Sequence, residues 1–197
     1  MLTLSAALEV PVHAQDVLPG GVRVPIQGYW TSGCIKLGMG GRHGAVVTLH
    51  VSPLGVLRAQ AQMFAGPSCD RPTVLARYRG EIIGNSALGE LDHRVEAVRL
   101  SVADRQALAL YNEQPDNFGC GFARARPWAL NRERDVAGRT CGGQGFARVG
   151  TVLKDRYWLE GEELRFGALP LSLEPVARPT QPGPVVFYKV GLVDRSE

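Results

Sequence analysis

The chain has 197 residues and a formal net charge of +3 at pH 7. A chain of this length can bury one substantial core, and no linker-like segment divides it, so we expect a single domain. No run of about 18 apolar residues occurs, so no membrane span is predicted. The arginines that supply most of the positive charge are interleaved with acids, which does not indicate a nucleic-acid-binding protein.

The first residues are expected to form a leader. A short apolar stretch ends at Ala14 in a small-residue pattern typical of a signal-peptidase site, with cleavage before Gln15. The basic region that should precede such a stretch is missing, and Glu9 interrupts it. A shortened or mis-started signal peptide and a disordered cytosolic leader therefore both remain open. We divide the chain into residues 1–27, the leader; residues 28–192, a single barrel-like domain; and residues 193–197, a C-terminal tail.

Several segments alternate apolar and polar residues with a period of two, which predicts half-buried antiparallel strands. In LRAQAQMF every second residue from Leu57 to Met63 is apolar, and arginine and glutamines fill the positions between them. The segments VLARYRGEI, from Val74, and AVRLSV, from Ala97, repeat the pattern. Further strand candidates are GYWTSGC, AVVTLHV, FARVGTVL, EELRFG and VVFYKVGL.

One helix is predicted among these strands. Ser101 lies three residues before Asp104 in a loose capping-box pattern, and apolar residues then recur at helical spacing from Ala103 to Tyr111. Many strands with one helix and no βαβ rhythm predict an all-β fold, a lipocalin-like antiparallel β-barrel that is half-open or closed. A barrel of about eight strands holds either packed side chains or one small apolar ligand.

The four cysteines are not arranged in close pairs. A structural zinc site or a thioredoxin-like redox motif needs such pairs, so neither is predicted. An even number of cysteines near glycine-bounded loop ends favours two disulfides in an oxidising compartment, and free buried thiols are the alternative. We predict the bonds Cys34–Cys69 and Cys120–Cys141, and with them a secreted, periplasmic or cell-surface protein.

The catalytic motifs in the sequence are incomplete. GNSALG, around Ser86, lacks the second glycine of a nucleophile elbow because Leu88 occupies that position. GMGGRHG has His43 in place of the third glycine of a dinucleotide-binding fingerprint and is better explained as a hairpin loop. No cofactor and no metal site are predicted, and an enzyme is the least favoured of the functional classes.

Arginines are concentrated between Cys120 and Cys141, around Trp128. Guanidinium groups bind carboxylate or phosphate head groups in a bidentate manner, so this loop is a candidate anion site. Because Glu133 and Asp135 lie among the arginines, a solvated loop that pairs its own charges is the competing interpretation. The arginines concerned are Arg124, Arg126, Arg132, Arg134 and Arg139.

A series of landmarks runs from about residue 28 to residue 190. It begins with GYWTSGC, which contains Trp30 and Cys34, and continues with MFAGPSCDRPTVLARYRGEI. It ends with LYNEQPDNFGCGFARARPW and DRYWLEGEELRFGALPLSLEPVARPTQPGPV. In their order and spacing these landmarks resemble the domain of the adenomatosis-polyposis-coli-down-regulated proteins, the animal cell-surface inhibitors of Wnt signalling.

The resemblance implies a secreted, disulfide-linked, lipocalin-like or half-barrel fold with a tendency to bind lipid-modified or apolar partners. The animal proteins carry the domain in duplicate, whereas this chain carries one copy. Its high arginine, alanine and glycine usage looks bacterial, and a bacterium has no Wnt pathway. We therefore do not transfer the Wnt activity to this chain.

Two functional hypotheses follow. The first is a non-enzymatic extracytoplasmic domain that holds a lipid or other apolar ligand in its curved sheet, with Met63, Tyr78, Leu100 and Phe166 as candidate wall residues. The alternative role of these four side chains is to fill a packed core. The second hypothesis is a surface adhesion or assembly module that binds a cell-envelope protein or glycan through its loops. Exposure of Trp128 and its neighbouring arginines would favour it, since Trp and Arg anchor interfaces.

Overall fold

A computed structural model of the chain describes residues 24–122, 125–167 and 177–190. Eight antiparallel strands close into a barrel, as the sequence predicts. The barrel strands are β1 (Gly28–Leu37), β2 (His43–Val51), β3 (Val56–Phe64), β4 (Pro72–Asn85), β5 (Glu90–Val102), β9 (Val152–Glu160), β10 (Glu163–Phe166) and β11 (Val186–Val190). Between β5 and β9 lie the helix α1 (Arg105–Glu113) and three two-residue strands, β6 (Arg134–Asp135), β7 (Thr140–Cys141) and β8 (Gln144–Gly145).

The barrel follows a simple up-and-down order. Each barrel strand pairs with the next one along the chain, and β11 returns to pair with β1. Closure of this kind leaves none of the eight strands with an unpaired side, which protects the backbone hydrogen-bonding groups from other chains. The closed form of the predicted barrel is therefore confirmed.

The period-two alternation places one side of each strand in the core. On β3, Leu57, Ala59 and Ala61 are buried, whereas Arg58 and Gln60 are exposed. The predicted strand FARVGTVL is mostly wrong, because β9 begins only at Val152. The GMGGRHG segment forms a short 3-10 turn at Met39–Gly41 between β1 and β2, which agrees with the predicted hairpin loop.

The helix begins later than the capping-box pattern predicts. Ser101 and Val102 still belong to β5, where they pair with Leu75 and Val74 of β4, so Ser101 cannot cap a helix. Asp104 is the N-cap residue instead, and its Oδ1 accepts a hydrogen bond from the Ala107 backbone N–H at 2.9 Å. Because Ser101 is held in the strand, the N-cap of the helix lies three residues later than the sequence pattern predicts.

The packed part of the chain includes residues before the predicted boundary at Gly28. Val24 and Ile26 are buried in the core, and the Trp30 indole Nε1 donates a hydrogen bond to the Ile26 carbonyl oxygen at 2.9 Å. The predicted cleavage site before Gln15 and the predicted tail at residues 193–197 lie outside the described residues.

Both predicted disulfides are confirmed. Cys34 of β1 is bonded to Cys69 in the turn between β3 and β4, and Cys120 is bonded to Cys141 of β7. No helix within the described ranges is long and apolar enough to cross a membrane.

Candidate functional site

The candidate wall residues lie mainly in the barrel core. Tyr78, Leu100 and Phe166 are all buried, and Met63 is half-buried near the end of β3. Phe166 packs edge-to-face against Phe187 at 5.8 Å between ring centroids, next to a small pocket of about 70 Å³. Tyr78, Leu100 and Phe166 belong to the hydrophobic core, and a ligand inside the barrel stays a prediction.

The barrel interior also contains a hydrogen-bonded polar pair on neighbouring strands. Tyr78 Oη of β4 lies 2.6 Å from His93 Nδ1 of β5. Burial lowers the pKa of His93 to about 4, although the charge of Asp92 opposes that shift. Burial, and then the charge of Glu96, raises the pKa of Tyr78. At neutral pH both groups are therefore uncharged, and each supplies the hydrogen-bond partner that a buried polar group requires.

The Tyr78 hydroxyl is accommodated by a glycine on the same strand. A Cβ atom built at Gly80 would collide with Tyr78 Oη. Because residues two apart on a strand point to the same face, only a residue without a side chain lets the tyrosine lie along β4 and reach His93.

The segment between β5 and β9, which we call the outer layer, packs against the barrel and extends its sheet by the short strand β6. The first half of β5, Glu90–Arg94, pairs with β9, whereas Arg99 and Leu100 in its second half pair with β6. The chain after α1 therefore lies against the part of β5 that β9 leaves, and the Cys120–Cys141 bond closes this layer.

Trp128 is held at the centre of this layer by three hydrogen bonds. Asn112 of α1 binds its backbone twice: the Trp128 N–H donates to Oδ1 at 2.7 Å, and Nδ2 donates to the Trp128 carbonyl at 3.2 Å. The indole Nε1 donates to the Gly119 carbonyl at 3.0 Å. Trp128 is only 4% exposed. The exposure of Trp128 that would favour the adhesion hypothesis is therefore not found, because the side chain is buried and its polar atoms are bonded within the chain.

A surface pocket of about 390 Å³ opens beside Trp128. Tyr111 of α1 and Phe122 contact the indole edge-to-face, with ring centroids at 5.3 and 5.5 Å, and all three rings line the pocket. Arg126 and Glu113 supply charged groups to the same lining. The volume is within the range of small-molecule sites, and aromatic walls with few charged groups are typical of such sites.

Arginines surround the aromatic rings. The guanidinium carbon of Arg134 lies 4.4 Å from the Phe122 centroid and 5.2 Å from that of Trp128. Arg139 covers Phe122 at 4.1 Å, and its Nη1 donates to the Cys120 carbonyl at 3.2 Å. Such cation–π contacts fix the orientation of the guanidinium groups.

The charge of these arginines is not balanced locally. Burial lowers the pKa of Arg134, and the positive charges of Arg132, Arg126 and Arg139 lower it further. Arg134 Nη1 is buried and has no hydrogen-bond partner among the described residues. A buried donor without an acceptor is costly, and an anion near this cluster would reduce the repulsion.

The acids of the loop are used elsewhere. Glu133 forms ion pairs with Arg77 of β4 and, at 3.6 Å, with Arg99 of β5. Asp135 Oδ1 accepts a hydrogen bond from the Ala137 backbone N–H at 2.9 Å. In the described part of the chain, no ion pair involves Arg126, Arg132, Arg134 or Arg139. The predicted self-pairing of the loop is therefore wrong for these arginines; Arg124 lies outside the described residues.

Comparisons with known proteins add no family. The chain matches no protein-family model, and a search of the curated proteins finds no match. The resemblance to the adenomatosis-polyposis-coli-down-regulated proteins accordingly stays a prediction. Across the described ranges, His, Cys, Asp and Glu side chains form no group of three that would hold a metal ion.

Sequence reasoning found half of this site. It singled out Trp128 and the arginines, but it placed Tyr111 only on a helix face and gave Phe122 no role. The signal for Phe122 was its position two residues after Cys120 and among arginines. The role of Asn112 depends on a contact across 16 positions, which no local pattern indicates.

Proposed function

We propose that this chain is a non-enzymatic extracytoplasmic binding protein for an acylated or otherwise apolar ligand with an anionic head group, and that the ligand binds in the pocket beside Trp128. The observation that carries the proposal is the meeting of three aromatic walls with four arginines that have no acid partner among the described residues. Aromatic walls favour the apolar part of a ligand, and guanidinium groups favour a carboxylate or phosphate.

The charges of the pocket support an anion. Glu113 is the one acidic residue in the lining, and Arg126 lines the same pocket. The charges of Arg126, Arg132 and Arg139 all act on Arg134, which lies over the Phe122 and Trp128 rings. A head group at the arginine end gains attraction from several guanidinium groups at once. A cationic ligand would add to a repulsion that already exists.

The proposal assigns the barrel the role of a rigid support. The sequence analysis predicts an apolar ligand within the curved sheet, but Tyr78, Leu100 and Phe166 are packed against other core side chains. The pocket outside the barrel offers the same ligand class both space and charge. A site supported by a closed sheet keeps its geometry better than one built on loops alone.

The two disulfides support an extracytoplasmic location, since such bonds persist in oxidising compartments. The second hypothesis, an adhesion module anchored by Trp128, loses the observation on which it depended, because the indole is buried.

The test is a displacement titration with a dansyl-labelled fatty acid, using decanoate and decanol as competitors. We expect decanoate to displace the probe with at least tenfold higher affinity than decanol, because the alcohol lacks the carboxylate. We expect Arg126→Gln to weaken decanoate binding by about tenfold, the scale of one hydrogen-bonded charge. Lys154→Gln is the matched control, since Lys154 is an exposed cation on β9 outside the pocket lining.

Three outcomes would contradict the proposal: no saturable displacement, equal displacement by decanoate and decanol, or equal weakening in Arg126→Gln and Lys154→Gln. Native mass spectrometry of gently purified protein gives a second readout. We expect a retained anionic lipid in the wild type and less of it in Arg126→Gln.

A further inference from the structure

A row of side chains crosses the outer face of the barrel on β1 to β4, strands that contribute no residue to the pocket beside Trp128. Tyr29, His50, Arg58 and Arg79 lie directly opposite one another on β1, β2, β3 and β4. We call these four residues the outer row. Neighbouring strands are about 4.8 Å apart, so the row is roughly 14 Å long and perpendicular to the strands. Tyr29 is 45% exposed, and Arg58 and Arg79 are exposed as well.

The barrel contains two pairs of arginines that face each other directly across strands. Arg77 faces Arg99, and Arg58 faces Arg79. Like charges in this position destabilise a sheet. In the first pair the carboxylate of Glu133 lies between the two guanidinium groups and forms ion pairs with both. Within this protein, a facing pair of arginines thus binds a carboxylate.

The second pair has no such bridge. Arg79 Nε is bonded to Glu96 Oε2 at 2.5 Å, on the side of β5. Arg58 forms no ion pair or side-chain hydrogen bond with any described residue. Its charge reaches His50, whose pKa is lowered by burial and then by Arg58. Arg58 is therefore a solvent-facing cation opposite a second cation. No described carboxylate bridges Arg58 and Arg79 in the way that Glu133 bridges Arg77 and Arg99.

The other end of the outer row is a pair of aromatic rings. The Tyr29 and His50 rings are stacked, with centroids 4.1 Å apart and planes 12° apart. Val190 of β11 lies opposite Tyr29 and is 44% exposed, so the surface extends onto the next strand. Each ring covers one face of the other, so the pair offers a ligand its ring edges and outer faces, and rigid aromatic groups bind at low entropic cost.

We propose that the outer row binds a carboxylated polysaccharide. A carboxylate of the polymer lies between Arg58 and Arg79 as Glu133 lies between Arg77 and Arg99, and a neighbouring sugar ring packs against the exposed ring of Tyr29. An acidic peptide such as poly-glutamate would supply the carboxylate but no ring at the adjoining position. This site is separate from the pocket beside Trp128, and the proposal does not depend on that pocket.

The test uses alginate oligomers as the carboxylated polysaccharide, dextran as the neutral one and poly-glutamate as the acidic peptide, in titration calorimetry at low and moderate salt. We expect alginate to bind, its affinity to fall with salt, and dextran and poly-glutamate to bind at least tenfold more weakly. Arg58→Gln should weaken alginate binding about tenfold, and Tyr29→Ala should weaken it severalfold. Both residues are exposed, so circular dichroism should show an unchanged fold.

Two matched controls separate this site from general charge and from the pocket. Lys154→Gln removes one exposed cation from β9, and Arg126→Gln removes one from the pocket beside Trp128. Alginate binding should be unchanged in both. The proposal fails if alginate does not bind, if poly-glutamate binds equally well, or if Lys154→Gln weakens alginate binding as much as Arg58→Gln does.

Discussion

Two buried aromatic sites in this molecule handle polar groups in opposite ways. Inside the barrel, Tyr78 and His93 satisfy each other and are both uncharged at neutral pH. Outside it, Trp128 is satisfied by the backbone and by Asn112, but Arg134 beside it keeps a buried donor without a partner among the described residues. The tyrosine and histidine therefore complete each other's hydrogen bonding, whereas the segment that holds Trp128 leaves a guanidinium donor unsatisfied, as β9 does with Arg156 Nε.

The Cys120–Cys141 bond closes the outer layer, and the Cys34–Cys69 bond links two parts of the barrel. We expect Cys141→Ser to lower the free energy of unfolding by roughly 2–4 kcal/mol, because the reduced chain regains the loop entropy that the bond removes. Cys120→Ser should cost nearly the same, and the double variant should be no worse than either, since only one bond exists to be lost. Urea unfolding measures all three.

Cys69→Ser is the matched control for location, since it breaks the bond between β1 and the β3–β4 turn. It should cost a similar free energy, yet leave binding at the Trp128 pocket intact, whereas Cys141→Ser should reduce that binding. Free thiols in the oxidised protein by intact-mass measurement, or additive costs in the double variant, would contradict the assignment.

The second prediction concerns the amide that holds Trp128. Asn112→Ala removes both hydrogen bonds to the Trp128 backbone and leaves a partly buried N–H and carbonyl unsatisfied. We expect a loss of about 2 kcal/mol in the free energy of unfolding. Asn117→Ala is the control, because that exposed side chain makes only a 3.4 Å bond to Gln114, and its cost should be within about 0.5 kcal/mol. Equal costs would show that Asn112 does not hold the tryptophan.

The interior pair makes stability depend on pH. His93 has a pKa of about 4 in the folded protein, against 6.5 as its ordinary value, so the unfolded chain binds more protons between these values. Stability therefore falls as the pH decreases from about 6.5 towards 4, by about 2 kcal/mol between pH 7 and pH 5. Urea unfolding at the two pH values measures this loss. It should shrink in His93→Gln, and an equal loss in that variant would show that other groups are responsible.

The sequence predicted the barrel well because the period-two pattern is local and strong. The alternation from Leu57 to Met63 specifies which side of β3 faces the core. The helix start was missed because pairing of Ser101 with Leu75, 26 positions away, overrode a local capping signal. The ion pairs of Glu133 were missed for the same reason. Its partners, Arg77 and Arg99, are far away in the sequence, and the spacing of charged residues along the chain does not indicate such contacts.

The smallest expected effect concerns Glu133, the carboxylate between the facing arginines. The Glu133 side chain is 34% exposed, and those of its partners Arg77 and Arg99 are 41% and 56% exposed. Ion pairs that are exposed to this degree contribute little to stability. Glu133→Gln should therefore lower the free energy of unfolding by less than about 1 kcal/mol, although it leaves Arg77 and Arg99 facing each other without a bridge.

If a facing arginine pair is a carboxylate site, the Glu133→Gln variant should gain a second site like that of Arg58 and Arg79. We expect alginate to bind Glu133→Gln more tightly than the wild type, and Glu113→Gln, which removes an equal charge from the pocket lining, to leave alginate binding unchanged. Equal gains in both variants would mean that net charge alone governs the binding.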